Sequence, residues 1–492
     1  MNKKYSIYVM LAVMLAFAVS SCNSSSDDPN SDIPTVNTYT STLVSGFSLG
    51  SNSKVLYNLD SVYFSIDQDK NLIYNADSLP KGTDVSHLTV SVTFPTAVGK
   101  AVFKVKDSSW MEDKEVEYTS ETTDSIDFSS PVELEVTSQD GKNVRSYTVC
   151  VNVHNVKPDS LFWDQRARRD LPNTSGSPKA EKTVAMNGKY MCLVADTYGY
   201  VFSFATNPGQ GTWENKSVAF DFTPNVESLT ATSDALYILS NAGQLYKSSD
   251  EGATWTNCGV MWHSIKGAYA SKLLGVLKDG DEYKHDEYPR GSYTPVAVED
   301  EFPVKASSEF VMANNKWTTM QQGMLVGGID KNGKTVCGVW GYDGKNWGRI
   351  DDEALAPLPA LEGASLVAYA SFNNDSVTHR QTKRTTWLVL GGRKADGTMN
   401  RASYVSYNQG ITWSNGGMAL QLPSYIPAFV NAQAFVVEET VQKKARTYAP
   451  VKPVTEWQCP YIYLVGGKNS SGDLYNSIWK GVINQLTFKP IY

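Results

Sequence analysis

The chain has 492 residues, a formal net charge of −7 and 19% charged residues. That length allows two or three domains, and the acidic balance argues against nucleic acid as a partner. Six cysteines lie far apart, with an odd five left once Cys22 is set aside, so no disulfide framework is implied; the five histidines include no pair at metal-ligand spacing.

Lys3 and Lys4 precede an almost wholly apolar run from Ile7 to Val19, and Ser20-Ser21-Cys22 follows. A basic start and a short apolar run read as a secretory signal over residues 1–21, too short and wrongly flanked for a membrane span. The segment Val19-Ser20-Ser21-Cys22 resembles the lipobox of bacterial lipoproteins. In that family the cysteine is acylated and becomes the first residue of the mature chain, so Cys22 is the implied lipid anchor to the outer membrane. Each buried methylene of an acyl chain contributes about 0.8 kcal/mol to anchoring. Residues 22–42 then make up the lipidated cysteine and a polar, flexible tether. Ser26-Asp27-Asp28 resembles the export signal of Bacteroidetes-type surface lipoproteins, and a plain linker fits it equally. The implied location is the cell surface, with a periplasm-facing position left open.

Residues 43–156 carry strand-length apolar or alternating stretches at Ser61–Ile66, Leu88–Thr93, Lys100–Val105, Val132–Thr137 and Ser146–Val153. Ser138 to Lys142 reads as a hairpin loop. About seven such strands predict an immunoglobulin-like β-sandwich. The strings Gly46-Phe47-Ser48-Leu49 and Leu79-Pro80-Lys81-Gly82 resemble the cadherin-like sandwich that follows the anchor in many Bacteroidetes surface lipoproteins, where it acts as a spacer. Asp67-Gln68-Asp69-Lys70-Asn71 has the look of a calcium loop but lacks its sixth-position Gly and twelfth-position Glu, so a polar hairpin is expected. Val156-Lys157-Pro158-Asp159 marks the boundary.

From 160 to 492 the chain repeats. Gly327-Gly328, Gly391-Gly392 and Gly466-Gly467 each follow an apolar strand, and Gly333, Gly397 and Gly472 come five residues later. Aromatics follow twelve residues after the pair, at Trp340, Tyr404 and Trp479, and Trp413 and Phe488 lie nine beyond the last two. Looser units centre on Cys192–Trp213, Tyr246–Trp255 and Leu273–Tyr283. A unit of this kind cannot bury both faces alone, so the units must stack radially. The predicted architecture is all-β, with the sandwich followed by a six-bladed β-propeller; a seventh unit in 421–460 stays open.

The Gly-Gly pattern resembles kelch repeats. Ser248-Ser249-Asp250-Glu251-Gly252-Ala253-Thr254-Trp255 resembles the Asp-box of sialidase-type propellers, and the run from Ser406 through Asn408, Gly410 and Thr412 to Trp413 repeats it with Asn for Asp. In that motif the Asx side chain bonds backbone amides, Gly supplies a positive φ and Trp packs inward. These residues are therefore expected to be structural, on outer hairpins away from the channel mouth. The whole layout resembles a family of two-domain Bacteroidetes lipoproteins of unknown function.

Catalytic chemistry finds little support. A sialidase-like hydrolase would need three arginines and a Tyr nucleophile with its Glu. The nearest string, Arg169-Asp170-Leu171-Pro172, matches poorly, and Arg166, Arg168 and Arg169 fit a solvated basic hinge. Later arginines (Arg290, Arg349, Arg380, Arg384, Arg393, Arg401) show no spacing for a triad. The acidic run Asp279 to Glu287 reads as a solvated insertion, with cation binding as the alternative. No phosphate-binding Gly loop and no local nucleophile triad is present, so no catalytic, metal or cofactor site is assigned. Sugars stack on aromatics, and Trp457 and Tyr425, in long inter-repeat stretches, are the candidate ligand contacts. Asp-Ser followed by Val, Leu or Ile recurs at Asp60, Asp77, Asp124, Asp159 and Asp375 and resembles an O-glycosylation site of exported Bacteroidetes proteins; chance fits equally. The expected function is a non-catalytic envelope binding protein for a glycan or a protein partner. A sialidase-like glycoside hydrolase and a pure protein scaffold are the alternatives.

Overall fold

The computed structural model describes residues 38–106, 114–119, 124–155, 157–315, 318, 320–352, 354–355, 357–374, 381–442 and 456–485. The signal segment, Cys22, most of the tether, Arg380, Asp375 and Phe488 lie outside these residues. The regular secondary structure of the described chain is almost all β-strand, in two parts.

The N-terminal part has eight strands among the described residues, divided two and six. Gly46–Leu49 pairs antiparallel with Val90–Thr93. The other six form one sheet, antiparallel except where Leu72–Tyr74 runs parallel to Val144–Cys150. Period-2 alternation sets the inward face: along Val132–Ser138, Val132, Leu134 and Val136 are buried while Glu133 faces out. Both sheets share one core, in which Phe47 and Val92 meet Ile73, Phe103, Leu134 and Tyr147. Asp67 to Asn71 is the hairpin turn between Ser65–Asp67 and Leu72–Tyr74. Asp67 Oδ1 there accepts the amides of Asp69 and Lys70, each at 3.2 Å.

The C-terminal part is a β-propeller of six four-stranded antiparallel sheets. Five are meanders of consecutive strands or nearly so: 180–216, 224–261, 264–297, 311–349 and 365–415. The sixth takes Val430–Gln442, Glu456–Lys468 and Ile478–Ile483, and completes itself with Leu161–Arg169 as its outermost strand. Thus Arg166, Arg168 and Arg169, expected as a hinge, lie on an edge strand instead. That strand buries only Leu161 and Trp163 and is polar beyond them, which gives it the composition of a solvated hinge. Arg168 Nη2 donates to the Asn476 carbonyl at 2.8 Å and pairs with Asp170 at 2.8 Å. The described strand residues of 421–460 all belong to this sixth sheet, so they add no seventh among the described residues.

One apolar cluster fills each junction between successive sheets. Leu193 and Phe202 of the first meet Leu236 and Ile238 of the second. Trp340 of the fourth meets Val276 of the third. Tyr463 and Val465 of the sixth meet Cys192 and Val194 of the first. The last junction brings the end of the chain back against the start of the propeller.

Candidate ligand channel

The first, innermost strands of the sheets face one another across a cavity of about 640 Å³. Ala180–Met186, Pro224–Ala231, Ser264–Tyr269, Val311–Asn314 and Val430–Gln442 contribute to its wall, and Ala364 joins them from just before the first strand of the fifth sheet. The lining is rich in charge. Lys182 of the first sheet forms an ion pair with Glu309, just before the innermost strand of the fourth. Lys468 of the sixth pairs with Glu227 of the second. Between the first and sixth sheets, the Thr183 amide donates to Gln433 Oε1 at 3.1 Å. These contacts tie together sheets that are not all neighbours, so the channel is bridged rather than open.

Two buried charged groups on the lining are left without an opposite charge in contact. Glu181 is 2% exposed. Its Oε1 accepts from Thr183 Oγ1 at 2.5 Å, and Cys192 Sγ lies 3.8 Å away, while Oε2 has no hydrogen-bond partner. Burial pushes its carboxyl up to about 7, against the hydrogen bond from Thr183 and the charge of Lys182. Lys266 is 5% exposed and has no hydrogen-bond or ion-pair partner among the described residues. Burial pulls its ammonium down to about 7, against the charge of Glu309. His263 is lowered by burial and then by the charges of Lys266, Lys305 and Lys278.

The repeat residues lie elsewhere. All three Gly-Gly pairs have positive φ and sit where the next sheet comes close. A Cβ on Gly327 would lie 2.2 Å from the Leu361 carbonyl oxygen, on Gly391 2.3 Å from the Phe429 ring, and on Gly466 2.2 Å from Glu181 Oε2. A Cβ on Gly328, Gly392 or Gly467 would also meet neighbours at 2.7, 3.1 and 2.9 Å. Trp340 and Trp479 are buried at sheet junctions, and Tyr404 packs half-buried against the cluster of Met324 and Val339.

Both Asp-box runs form the turn between the third and fourth strands of a sheet, remote from the innermost strands. In the first, Ser248 Oγ donates to Asp250 Oδ1 at 2.7 Å and accepts from the Gly252 amide at 2.8 Å. The Thr254 amide and hydroxyl bond the two Asp250 oxygens at 2.9 and 2.6 Å. In the second, Ser406, Asn408, Gly410 and Thr412 repeat these contacts at 2.9–3.0 Å. Trp413 Nε1 there donates to the Gly410 carbonyl at 3.0 Å, whereas Trp255 Nε1 has no partner. Each glycine abuts the preceding sheet, Gly252 against Phe202 and Gly410 against Met324.

Hydrogen bonds from Thr254 and then Ser248 hold Asp250 down to about 2 from its ordinary 3.8. A carboxyl lowered in the folded state stabilises above its ordinary value and loses that contribution as pH falls through the folded one. Asn408 shows that an amide keeps the same turn. Asp250→Asn is therefore expected to change stability at pH 7 by under about 0.5 kcal/mol. In thermal melts taken down to pH 2.5 the variant should lose less than the parent. Parallel losses in both proteins would reject the assignment.

The candidate ligand contacts are not at the channel. Trp457 is 1% exposed, and Tyr425 donates to the Trp163 carbonyl at 2.8 Å, beside Trp479. Neither lies on the channel wall. A position between repeat landmarks says nothing about exposure. The run Asp279 to Glu287 is a strand–turn–strand rather than an insertion. Lys284 pairs with Asp279, Arg290 with Asp286, Lys272 with Glu287, and His285 with Glu299. Among the described residues no cluster of His, Cys, Asp or Glu could hold a metal ion. The described arginines are dispersed: Arg349 engages Glu301 and Asp351, Arg393 pairs with Glu362, and Arg384 lies 3.8 Å over the Tyr407 ring. Of the Asp-Ser sites, Ser78 and Ser160 are buried.

The wall residues Glu181, Lys182, Lys266 and Glu309 escaped the reading of the sequence. The repeat was located by landmarks on later strands, and a single charge in a short first strand such as Ser264–Tyr269 carries no periodic signal.

The chain matches two family models: the DUF6242 β-propeller domain over residues 157–491 and the N-terminal domain of unknown function DUF6242 over residues 32–151. No curated protein matches it. Its solved structural neighbours include YjhT, 12% identical with a TM-score of 0.38, covering 64% of this chain and 99% of that one. YCF48 bound to D1 peptide is 13% identical with a TM-score of 0.29, covering 73% and 87%. The six-bladed, fucose-recognising fungal lectin of Aleuria aurantia is 11% identical with a TM-score of 0.32, covering 63% and 97%. With both models placed in order and the larger spanning more than half its length, the chain belongs to the two-domain DUF6242 family.

Proposed function

We propose that this protein is a non-catalytic binding protein of the cell envelope that takes a glycan in the channel of its propeller. The observation that carries this reading is the cavity of about 640 Å³ with charged and polar side chains on its wall. That volume lies in the range of small-molecule sites, and a polar wall suits a ligand dense in hydroxyls. A protein scaffold would call instead for a broad exposed face. The hydrolase alternative lacks its arginines and its carboxylate pair: no described arginine lines the wall, Glu227 and Glu309 are each engaged by a lysine, and among the described residues Glu181 is the one wall carboxylate without an ion pair.

In this reading Cys22 is acylated and residues 22–42 form a tether at the outer membrane, as the resemblance to Bacteroidetes surface lipoproteins implies. Residues 43–156 serve as an immunoglobulin-like spacer, and the propeller works as a six-bladed receptor. A glycan array probed with the intact chain tests the binding claim. Specific binding that is lost on Asn225→Trp, which places a large ring on the channel wall, supports it. Binding that survives this change, or a blank array beside a positive pull-down of an envelope protein, would reject it.

A further inference from the structure

The charges on the channel wall do not balance. Lys182 and Lys468 are neutralised by Glu309 and Glu227. Lys266 and Lys305 are not: neither has an ion-pair partner among the described residues. The remaining acid, Glu181, is packed against Gly466 with one oxygen bonded to Thr183 and the other unpartnered. The one acid whose charge acts on Lys266, Glu309, is already paired with Lys182, and burying an ammonium without an ion-pair partner costs several kcal/mol, so a hydrophobic residue of similar volume is usually more stable there. Lys266 nevertheless stands on an innermost strand, buried, beside a cavity large enough for a ligand. Unpaired buried charge on a cavity wall is an arrangement that a bound opposite charge completes.

We propose that the channel binds a small polar molecule bearing an oxyanion, carboxylate or phosphate, with Lys266 Nζ as the group that holds it. The proposal deepens the channel-binding reading and rests on it. Lys305 stands on the same wall and adds attraction. Neutral sugars lack the group that would offset the buried ammonium, so they are poor ligands at this position.

The titrating groups around Lys266 set a pH dependence. His263 lies on the adjoining turn; Glu181 and Lys182 face from the first sheet, Glu227 from the second, Lys305 and Glu309 from the fourth and Lys468 from the sixth. Below about 7 Lys266 is charged and Glu181 is neutral, and both favour an anion. Above that value Lys266 loses its proton and Glu181 gains a negative charge, and both oppose it. Affinity therefore falls as pH rises through neutrality.

The test is calorimetric titration of the intact chain with sodium glucuronate, glucose and inorganic phosphate at pH 6 and pH 8.5, on the parent protein, Lys266→Met and Lys266→Gln. At least one anion should bind at pH 6, roughly tenfold or more tighter than at pH 8.5 and than glucose. Glucuronate alone responding assigns a carboxylate, and phosphate alone responding assigns a phosphate. Both variants should weaken that binding at least thirtyfold, and Lys266→Met should melt higher than the parent without ligand, which separates lost binding from lost folding. Unchanged affinity in the folded variants, equal affinity for glucose, or flat titrations with both anions would overturn the proposal. If a neutral glycan on the array still binds in a manner abolished by Asn225→Trp, the channel reading stands without its anionic specificity; if the array is blank as well, both fall.

Discussion

Trp163→Ala is expected to lower the unfolding free energy of the propeller by about 4 kcal/mol, whereas Phe162→Ala, one residue earlier, should change it by under about 0.5 kcal/mol. Trp163 is 3% exposed and Phe162 is 62% exposed, because successive side chains of Leu161–Arg169 point to opposite faces. The ring of Trp163 lies over Gly481 of the paired strand, where a Cβ would approach it to 2.8 Å. It also packs with Leu161, Leu388, Ile462 and Leu464. That cluster joins the fifth and sixth sheets through a strand contributed from the other end of the propeller sequence. Losing the indole opens a cavity at that seam and weakens the pairing that completes the sixth sheet. The indole Nε1 has no hydrogen-bond partner, so the loss is one of packing, and Trp163→Phe should cost much less than Trp163→Ala. Urea denaturation followed by tryptophan fluorescence reads these differences. Equal effects at 162 and 163 would mean that the strand does not hold the seam.

The repeat was legible because its chemistry is local. Glycines at fixed spacing mark positive φ, and Asx, Thr and Trp at fixed spacing mark one turn, so the units centred on Gly328, Gly392 and Gly467 correspond to the fourth, fifth and sixth sheets. The three looser units, at Cys192, Tyr246 and Leu273, fall on the first, second and third sheets. The pairing of Leu161–Arg169 with Ile478–Ile483 was not legible. Its partner lies some three hundred residues away, and only two of its nine side chains are buried, so no alternation announces a strand. The channel was hidden for a related reason. Glu181, Lys266 and Glu309 come from separate sheets, and only closure of the sheets around one another brings them to a common wall. Each alone looks like an ordinary surface charge. The six-plus-two division of the N-terminal strands was also beyond periodicity, since alternation tells which face is buried but not which strands are neighbours.

Gly327→Ala should cost about 4 kcal/mol, and Gly333→Ala only about 1 kcal/mol, although both glycines have positive φ. At Gly333, φ is 81° and a Cβ would meet nothing within 4 Å, so alanine there carries only the backbone penalty. At Gly327, φ is 59° and the Cβ would stand 2.2 Å from the Leu361 carbonyl oxygen. Backbone cannot swing aside as a flexible side chain can. Leu361 is fully buried in the cluster that joins the fourth and fifth sheets, and it pairs with Lys394 in a short two-stranded ladder. Relieving the contact requires the two sheets to separate, which loosens Met324, Val326 and Trp387 together. The equivalent pairs at Gly391 and Gly466 meet a Phe429 ring and the Glu181 carboxylate, both side chains with some freedom, so their alanine variants should fall between the two extremes. Thermal melts of the four single variants give the order directly. If Gly327→Ala cost no more than Gly333→Ala, the glycine pair would serve only its own turn, and the close approach of the next sheet would contribute nothing to stability.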